Sequence, residues 1–190
     1  MQGERRTLEE VRAEINALDD QLRSLLMRRM DLSAEVADIK ERAGGRIVIY
    51  REDREQEILA RHAEKIPPER RAVCLPVARK IMECSRMFQY GRIFDRHPEL
   101  FETVKTETDG GGMPGRVRFR LTRSNKPNSM ATILGMIGDY GFQTDAVEML
   151  GETEQTVSFE IRVVGDLTDR NMKKLLCQLS MESAAFTLLD

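Results

Sequence analysis

The feature that most constrains this chain is an apolar repeat between residues 7 and 42. Leu8, Val11, Ile15, Leu18, Leu22, Leu25, Arg29, Leu32, Val36 and Ile39 follow one another at alternating spacings of three and four residues. That spacing is a heptad seam and predicts one long helix. Thr7 with Glu10 three residues later is the signature of a capping box at its start, and Gly44-Gly45 is a stop. At about 1.5 Å per residue the helix spans roughly 50 Å. A seam of that length predicts a partner helix throughout, most simply from a second copy of the chain. Arg29 interrupts the apolar run. A guanidinium there loses water at a cost unless an anion meets it, which predicts an anion site buried between helices.

Composition narrows the function classes. Lys+Arg 30 against Asp+Glu 32 gives a net charge of −2, so no basic field for nucleic acid is expected. No apolar run is long enough to span a membrane. The opening MQGERRTLEE has no apolar core of a signal peptide. Cys74, Cys84 and Cys177 are scattered, as expected of reduced thiols in a cytosolic protein. With His62 and His97 the only histidines, a histidine-based zinc site is not expected.

After an apolar connector, Ile47 to Tyr50, a second helix is predicted over residues 51–64, burying Ile58 and Leu59. Pro67-Pro68 ends it. A third helix is predicted from about residue 69 to 101, kinked or restarted at Pro76. Residues 103–115, with a Gly110-Gly111-Gly112 run and Pro114, read as a flexible linker. Beyond it the period changes. Val117, Phe119 and Leu121 alternate with Arg116, Arg118 and Arg120, the mark of a half-buried strand. Helical spacing returns at Met130, Ile133, Leu134 and Ile137, then strands are predicted over 142–150 and 156–164. A helix with Met172, Leu175, Leu176 and Leu179 and a strand over 183–189 complete a βαββαβ order, a sheet with helices on one face. The expected organisation is therefore a helical domain over 1–102, a linker over 103–115 and an α/β domain over 116–190.

Helical geometry gathers several polar groups. Arg29 and Lys40 lie about three turns apart on one face, with Ser33 between them. Ser85 and Gln89 are i, i+4 neighbours on the third helix. Arg54 and Glu55 fall in the first turn of the second. Arg12 is turned roughly a quarter circle from Arg29, so it suits a partner's pocket better than its own. A single Arg or Lys on a helix is usually solvated; the set together describes a helix-lined cavity for a small dianion. No nucleophile with a paired base, metal set or glycine-rich phosphate loop accompanies it, which suits a reaction needing only orientation and electrostatic stabilisation.

These residues carry a resemblance. Leu8-Glu9-Glu10-Val11-Arg12, Ile15-Asn16-Ala17-Leu18-Asp19, Leu26-Met27-Arg28-Arg29, Ala34-Glu35-Val36-Ala37-Asp38-Ile39-Lys40, Asp53-Arg54-Glu55 and Ser85-Arg86-Met87-Phe88-Gln89 stand in the order found in the all-helical chorismate mutases. Residues 8 to about 92 resemble that family. The resemblance implies an intertwined helical homodimer that converts chorismate to prephenate without a cofactor. It implies that Arg29 grips a substrate carboxylate, that Arg12 comes from the other subunit, and that Lys40 and Gln89 hydrogen-bond the ether oxygen. Glu55 would accept from the ring hydroxyl, with Arg54 and Ser85 supporting the carboxylate end. Many relatives have an aspartate where this chain has Arg51, at the ring-hydroxyl end of the pocket.

The segment 116–190 resembles an ACT domain, of ferredoxin-like βαββαβ form, through its element order and the turn Asn125-Lys126-Pro127-Asn128-Ser129-Met130. The resemblance implies an amino-acid effector at Asn125, Pro127, Asn128 and Ser129, or else a dimerising role. Asn128 stands where glycine is usual, and asparagine tolerates the backbone angles of such a turn. Two other functions compete: an isochorismate–pyruvate lyase on the same helical fold, and a non-catalytic binding module.

Overall fold

The computed structural model describes residues 6–44 and 47–189; Gly45, half of the predicted stop, lies outside them. Helix α1 runs Leu8–Arg42, capped as predicted: Thr7 accepts from the Glu10 amide and Glu10 from the Thr7 amide. Gly44 follows with φ 71°, a left-handed turn that glycine adopts without cost. Helix α2 is Glu52–Lys65 and helix α3 is Pro68–Arg96, continuous through Pro76. Helix α3 stops earlier than the predicted residue 101. Pro98 disfavours helical backbone at His97, and the chain passes into a 3-10 turn, Pro98–Thr103.

The remainder is a five-stranded sheet: β1 Thr106–Glu107, β2 Arg116–Ser124, β3 Gln143–Glu152, β4 Thr156–Val164 and β5 Ala185–Leu189, in the order β1-β5-β2-β4-β3. Helices α4, Ser129–Asp139, and α5, Arg170–Glu182, complete the βαββαβ order. The stretch expected to be a linker is partly built into the sheet. Thr106 and Glu107 pair parallel with Leu188 and Leu189, and Val104 joins the core. Two residues are too few for an alternating pattern to show in sequence. The alternation in β2 buries Val117, Phe119 and Leu121 beneath α4 and α5, with Ile133, Ile137, Leu175 and Leu179.

The apolar seam of α1 is not the face that packs against α3. Ser33 and Ala37 are the buried residues of α1. They sit on the stripe that carries Arg29, and Asp38 beside it accepts from Arg92 at 3.1 Å and Arg96 at 2.8 Å on α3. The seam residues Leu8, Ile15, Leu18, Leu22, Leu25, Leu32, Val36 and Ile39 are 42–64% exposed, unpartnered within the described chain. At the same C-terminal end of α3 the two layers share a core. Phe94 is buried among the sheet-side residues, and Met181 of α5 packs on Ile49, Tyr90 and Ile93.

Phe119 is fully buried and stacks on Phe186 with ring centroids 5.4 Å apart. Phe119→Ala is expected to cost about 3–5 kcal/mol of stability, the usual penalty for emptying an aromatic site in a packed core. Arg120→Ala on the exposed face is expected to change it by less than about 0.5 kcal/mol. Urea denaturation of the two variants checks both.

Candidate functional site

The α1–α3 contact creates a partly dehydrated cation. Arg29 donates from Nη1 to Ser85 Oγ and, at 3.3 Å, to the Ile81 carbonyl. Ser85 Oγ donates in turn to that carbonyl at 2.8 Å, and Ser33 Oγ to the Arg29 carbonyl at 2.9 Å. Burial draws the Arg29 guanidinium below its ordinary value, with Cys84 and Glu55 opposing. It remains charged, and its hydrogen bonds all go to neutral oxygens, so that Glu55 only partly offsets the charge, the electrostatic condition for an anion site. One turn beyond Ser85, Gln89 is 9% exposed, and its Oε1 is buried with no partner among the described residues. Lys40, half-buried near the end of α1, donates to the Ile49 carbonyl at 3.2 Å. Burial first, and then repulsion by Arg51, pulls the Lys40 ammonium below the usual lysine range.

Glu55 projects from the first turn of α2 and accepts from Arg86 Nη1. Burial pushes its carboxyl above the ordinary glutamate range, and Arg86 pulls the other way. Arg86 also donates from Nε to Glu182 Oε1 at 3.0 Å. Burial alone would lower Arg86, but Glu182 and Glu55 outweigh it and raise it further. Neither Arg86 nor Glu182 stood among the sequence candidates. Arg86 lies inside the matching Ser85–Gln89 stretch, but nothing in one helix's sequence tells which of its arginines is buried. Glu182 sits in the last turn of a helix from the other layer.

The structure thus brings Arg29 and Ser85 into contact. It buries Gln89 on the same helix and sets Glu55 near enough to support the charge of Arg29. It does not bring in Arg51, Arg54 or Arg12 within one chain. Arg51 is exposed and grips Asp53 through two bonds, at 2.9 and 2.6 Å. Arg54 is exposed and pairs with Glu57 at 2.7 Å. Arg12 is exposed on the free length of α1.

A cavity of about 510 Å³ lies between the α2–α3 layer and the turn before α4; Glu55, Arg86 and Arg79 line one side, Pro127, Asn128 and Ser129 the other. Asn128 holds φ 70°, the left-handed geometry an asparagine can adopt. Asn125 does not line that cavity; its Nδ2 donates to Glu152 Oε1 at 2.8 Å and to the Thr153 carbonyl at 2.7 Å. Arg29, Lys40, Ser85 and Gln89 lie outside its lining. Among the described residues no group of His, Cys, Asp and Glu is arranged to hold a metal, and no helix is long and apolar enough to cross a membrane.

An unpartnered buried carbonyl oxygen costs stability in the free protein. Gln89→Leu is therefore expected to raise the free energy of unfolding by about 1 kcal/mol, read from denaturant curves. A loss of stability would mean that Gln89 serves the fold.

No curated protein sequence matches the chain. A solved structure described as GqqA, a novel type of quorum quenching acylases, is similar over 40% of this chain at 19% identity, with a TM-score of 0.35. The matched region spans 43% of that structure's own length. Residues 11–90, which carry most of α1, all of α2 and most of α3, match the chorismate mutase type II family.

Proposed function

We propose that the chain is a chorismate mutase working as a homodimer, rearranging chorismate to prephenate in aromatic amino acid biosynthesis. The observation that carries this is the partly buried Arg29, held by neutral oxygens only, on the α3 face that also buries the unpartnered Gln89 oxygen. It falls within the segment that matches the family.

The reaction breaks the ether C–O bond of chorismate as the end of the enolpyruvyl arm bonds to the ring, within one molecule. No proton moves and no covalent enzyme intermediate forms. Holding the arm over the ring removes an entropic part of the barrier. As the C–O bond lengthens, negative charge grows on the ether oxygen. Donors already aimed at it, the Lys40 ammonium and the Gln89 amide, stabilise that charge without rearranging. Arg29, with Ser85 beside it, takes one substrate carboxylate. Arg12 of the second copy takes the other, which suits its exposure on the unpartnered length of α1. Glu55 accepts from the ring hydroxyl. Arg54, with Ser85, supports the carboxylate end and Arg51 stands at the ring-hydroxyl end; the exposed ion pairs that both form in the free chain are weak enough to exchange. The βαββαβ layer is ACT-like in this proposal, and its turn at Pro127, Asn128 and Ser129 faces the interlayer cavity, where an amino-acid effector would act.

Lys40→Ala is expected to lower kcat by roughly a thousandfold, the scale for losing one donor to a developing oxyanion, with unchanged circular dichroism. Near-normal turnover would remove the mechanism. The pH profile follows from the same geometry. Glu55 must be ionised, and its raised pKa moves the acid limb of kcat/KM above that of an ordinary glutamate. Lys40 must be protonated, and its lowered pKa brings the basic limb below that of an ordinary lysine. In Gln89→Glu a donor exists only after protonation, so activity is expected to move towards acid. Chorismate consumption followed from pH 4 to 10, with prephenate and pyruvate measured as products, tests these outcomes and separates mutase from lyase chemistry.

A further inference from the structure

The most buried carboxylate among the described residues is not on the helices that match the mutase family. Glu182, in the last turn of α5, has a side chain 0% exposed. Three donors hold it: Arg86 Nε at 3.0 Å, Arg123 Nη2 of β2 at 3.0 Å and Gln178 Nε2 at 2.9 Å. Gln178 is fixed in turn by the Tyr140 hydroxyl, which donates to its Oε1 at 2.8 Å. The Arg86 side chain is 7% exposed and that of Arg123 10%. A carboxylate this dehydrated is tolerated only because its oxygens are satisfied by charged donors, and such donors lose their freedom to move.

Arg86 is therefore fixed on several sides. Its Nε is on Glu182, its guanidinium carbon lies 4.8 Å from the centre of the Tyr50 ring, and its Nη1 is on Glu55. A planar guanidinium clamped in this way can set the place of the carboxylate on its free edge. We infer that Arg86, anchored by Glu182 of the sheet layer, is the positioning residue for Glu55, so that the sheet layer supplies a structural part of the site on the helices. The inference rests on the role proposed for Glu55. It gives α5 a task separate from effector binding: without its terminal carboxylate, the arginine behind Glu55 has no fixed seat.

The titratable groups around Glu55 come from several elements. Arg86 and Glu83 come from α3, Glu182 from α5, Arg29 from α1 and Tyr50 from the segment before α2; Glu52 is on its own helix, Arg123 holds Glu182, and Arg79 of α3 and Lys126 of the turn before α4 line the same cavity. After burial, Arg86 has the largest influence on the Glu55 carboxyl, holding it down, while Glu182 and Glu83 push it up. The two partners of the clamp thus act on Glu55 with opposite signs.

The test is a 13C titration of glutamate carboxyls in the full chain, with Glu55 assigned by its loss in Glu55→Gln, alongside kcat and KM for chorismate. Arg86→Gln is expected to raise the Glu55 titration by about one unit or more, to move the acid limb of kcat/KM with it, and to lower kcat at least tenfold. Arg86→Lys restores the charge but not the fork, so the titration returns most of the way while kcat stays low. Glu182→Gln removes a like charge, so the titration moves downward, while kcat falls because Arg86 loses its seat. A folded Arg86→Gln protein with Glu55 titrating as in the unmodified chain overturns the inference. If that variant does not fold, unchanged titration in both Arg86→Lys and Glu182→Gln overturns it instead. The titration needs no turnover: an unmodified chain that leaves chorismate untouched sinks the proposed function, while the Glu55–Arg86 clamp is judged separately.

Discussion

A 35-residue helix with an apolar stripe along one side has to be held from both sides. Among the described residues only one side is held. Helix α3 covers the stripe that runs through Arg29, Ser33 and Ala37, whereas the leucines and isoleucines of the heptad seam face outward. Hydrophobic burial contributes about 25 cal/mol per Å² of apolar surface, and a continuous row of such side chains is far more than a monomer normally leaves in water. In the proposed dimer this row meets the same row of a second copy. The same proposal would explain the division of labour along α1: small residues allow close approach to α3, large ones would meet the second copy, and Arg29 and Lys40 would lie at the margin between the two contacts.

The second constraint is the dehydration of charge. Arg29 is half-buried against neutral oxygens, Gln89 has a buried oxygen with no donor, and Lys40 rests on a backbone carbonyl. The Arg29 and Lys40 charges are better met when an anion arrives, whereas the Gln89 oxygen is an acceptor that needs a donor. Glu182, by contrast, is buried with all its needs met. In the proposed mechanism this contrast separates groups that meet a ligand from groups that hold the frame. It places Arg86 between the two kinds, since it has one bond into the frame and another towards the site.

Much of this was legible in the sequence, for physical reasons. Heptad spacing and the Thr7/Glu10 box located α1, and strict alternation located β2 and β4, because side-chain periods of 3.5 and 2 are set by backbone geometry alone. The end of α3 was set too late because a helical apolar pattern continues past Pro98, and the proline, not the pattern, decides. Strand β1 escaped because two residues carry no period. Among the candidate site residues, Ser85 and Gln89 were read together because they share one helix face, and the structure brings Arg29 onto Ser85 and buries Gln89 one turn further on. Arg86 and Glu182 were missed because their partnership spans 96 residues and joins two layers. No local spacing encodes such a pair, and in sequence a buried arginine is indistinguishable from the solvated arginines beside it.

The central claim is that each site is built from two copies, with Arg12 from one and Arg29 and Lys40 from the other. Subunit complementation tests it most directly. Arg12→Ala and Lys40→Ala chains, each nearly inactive alone, are co-refolded in equal amounts and assayed for prephenate formation. The account predicts recovery of about a quarter of the unmodified activity, since half of the dimers are mixed and each mixed dimer regains one intact site of two. Activity in the mixture no greater than in the separate variants, with mixed dimers shown to form, would contradict it.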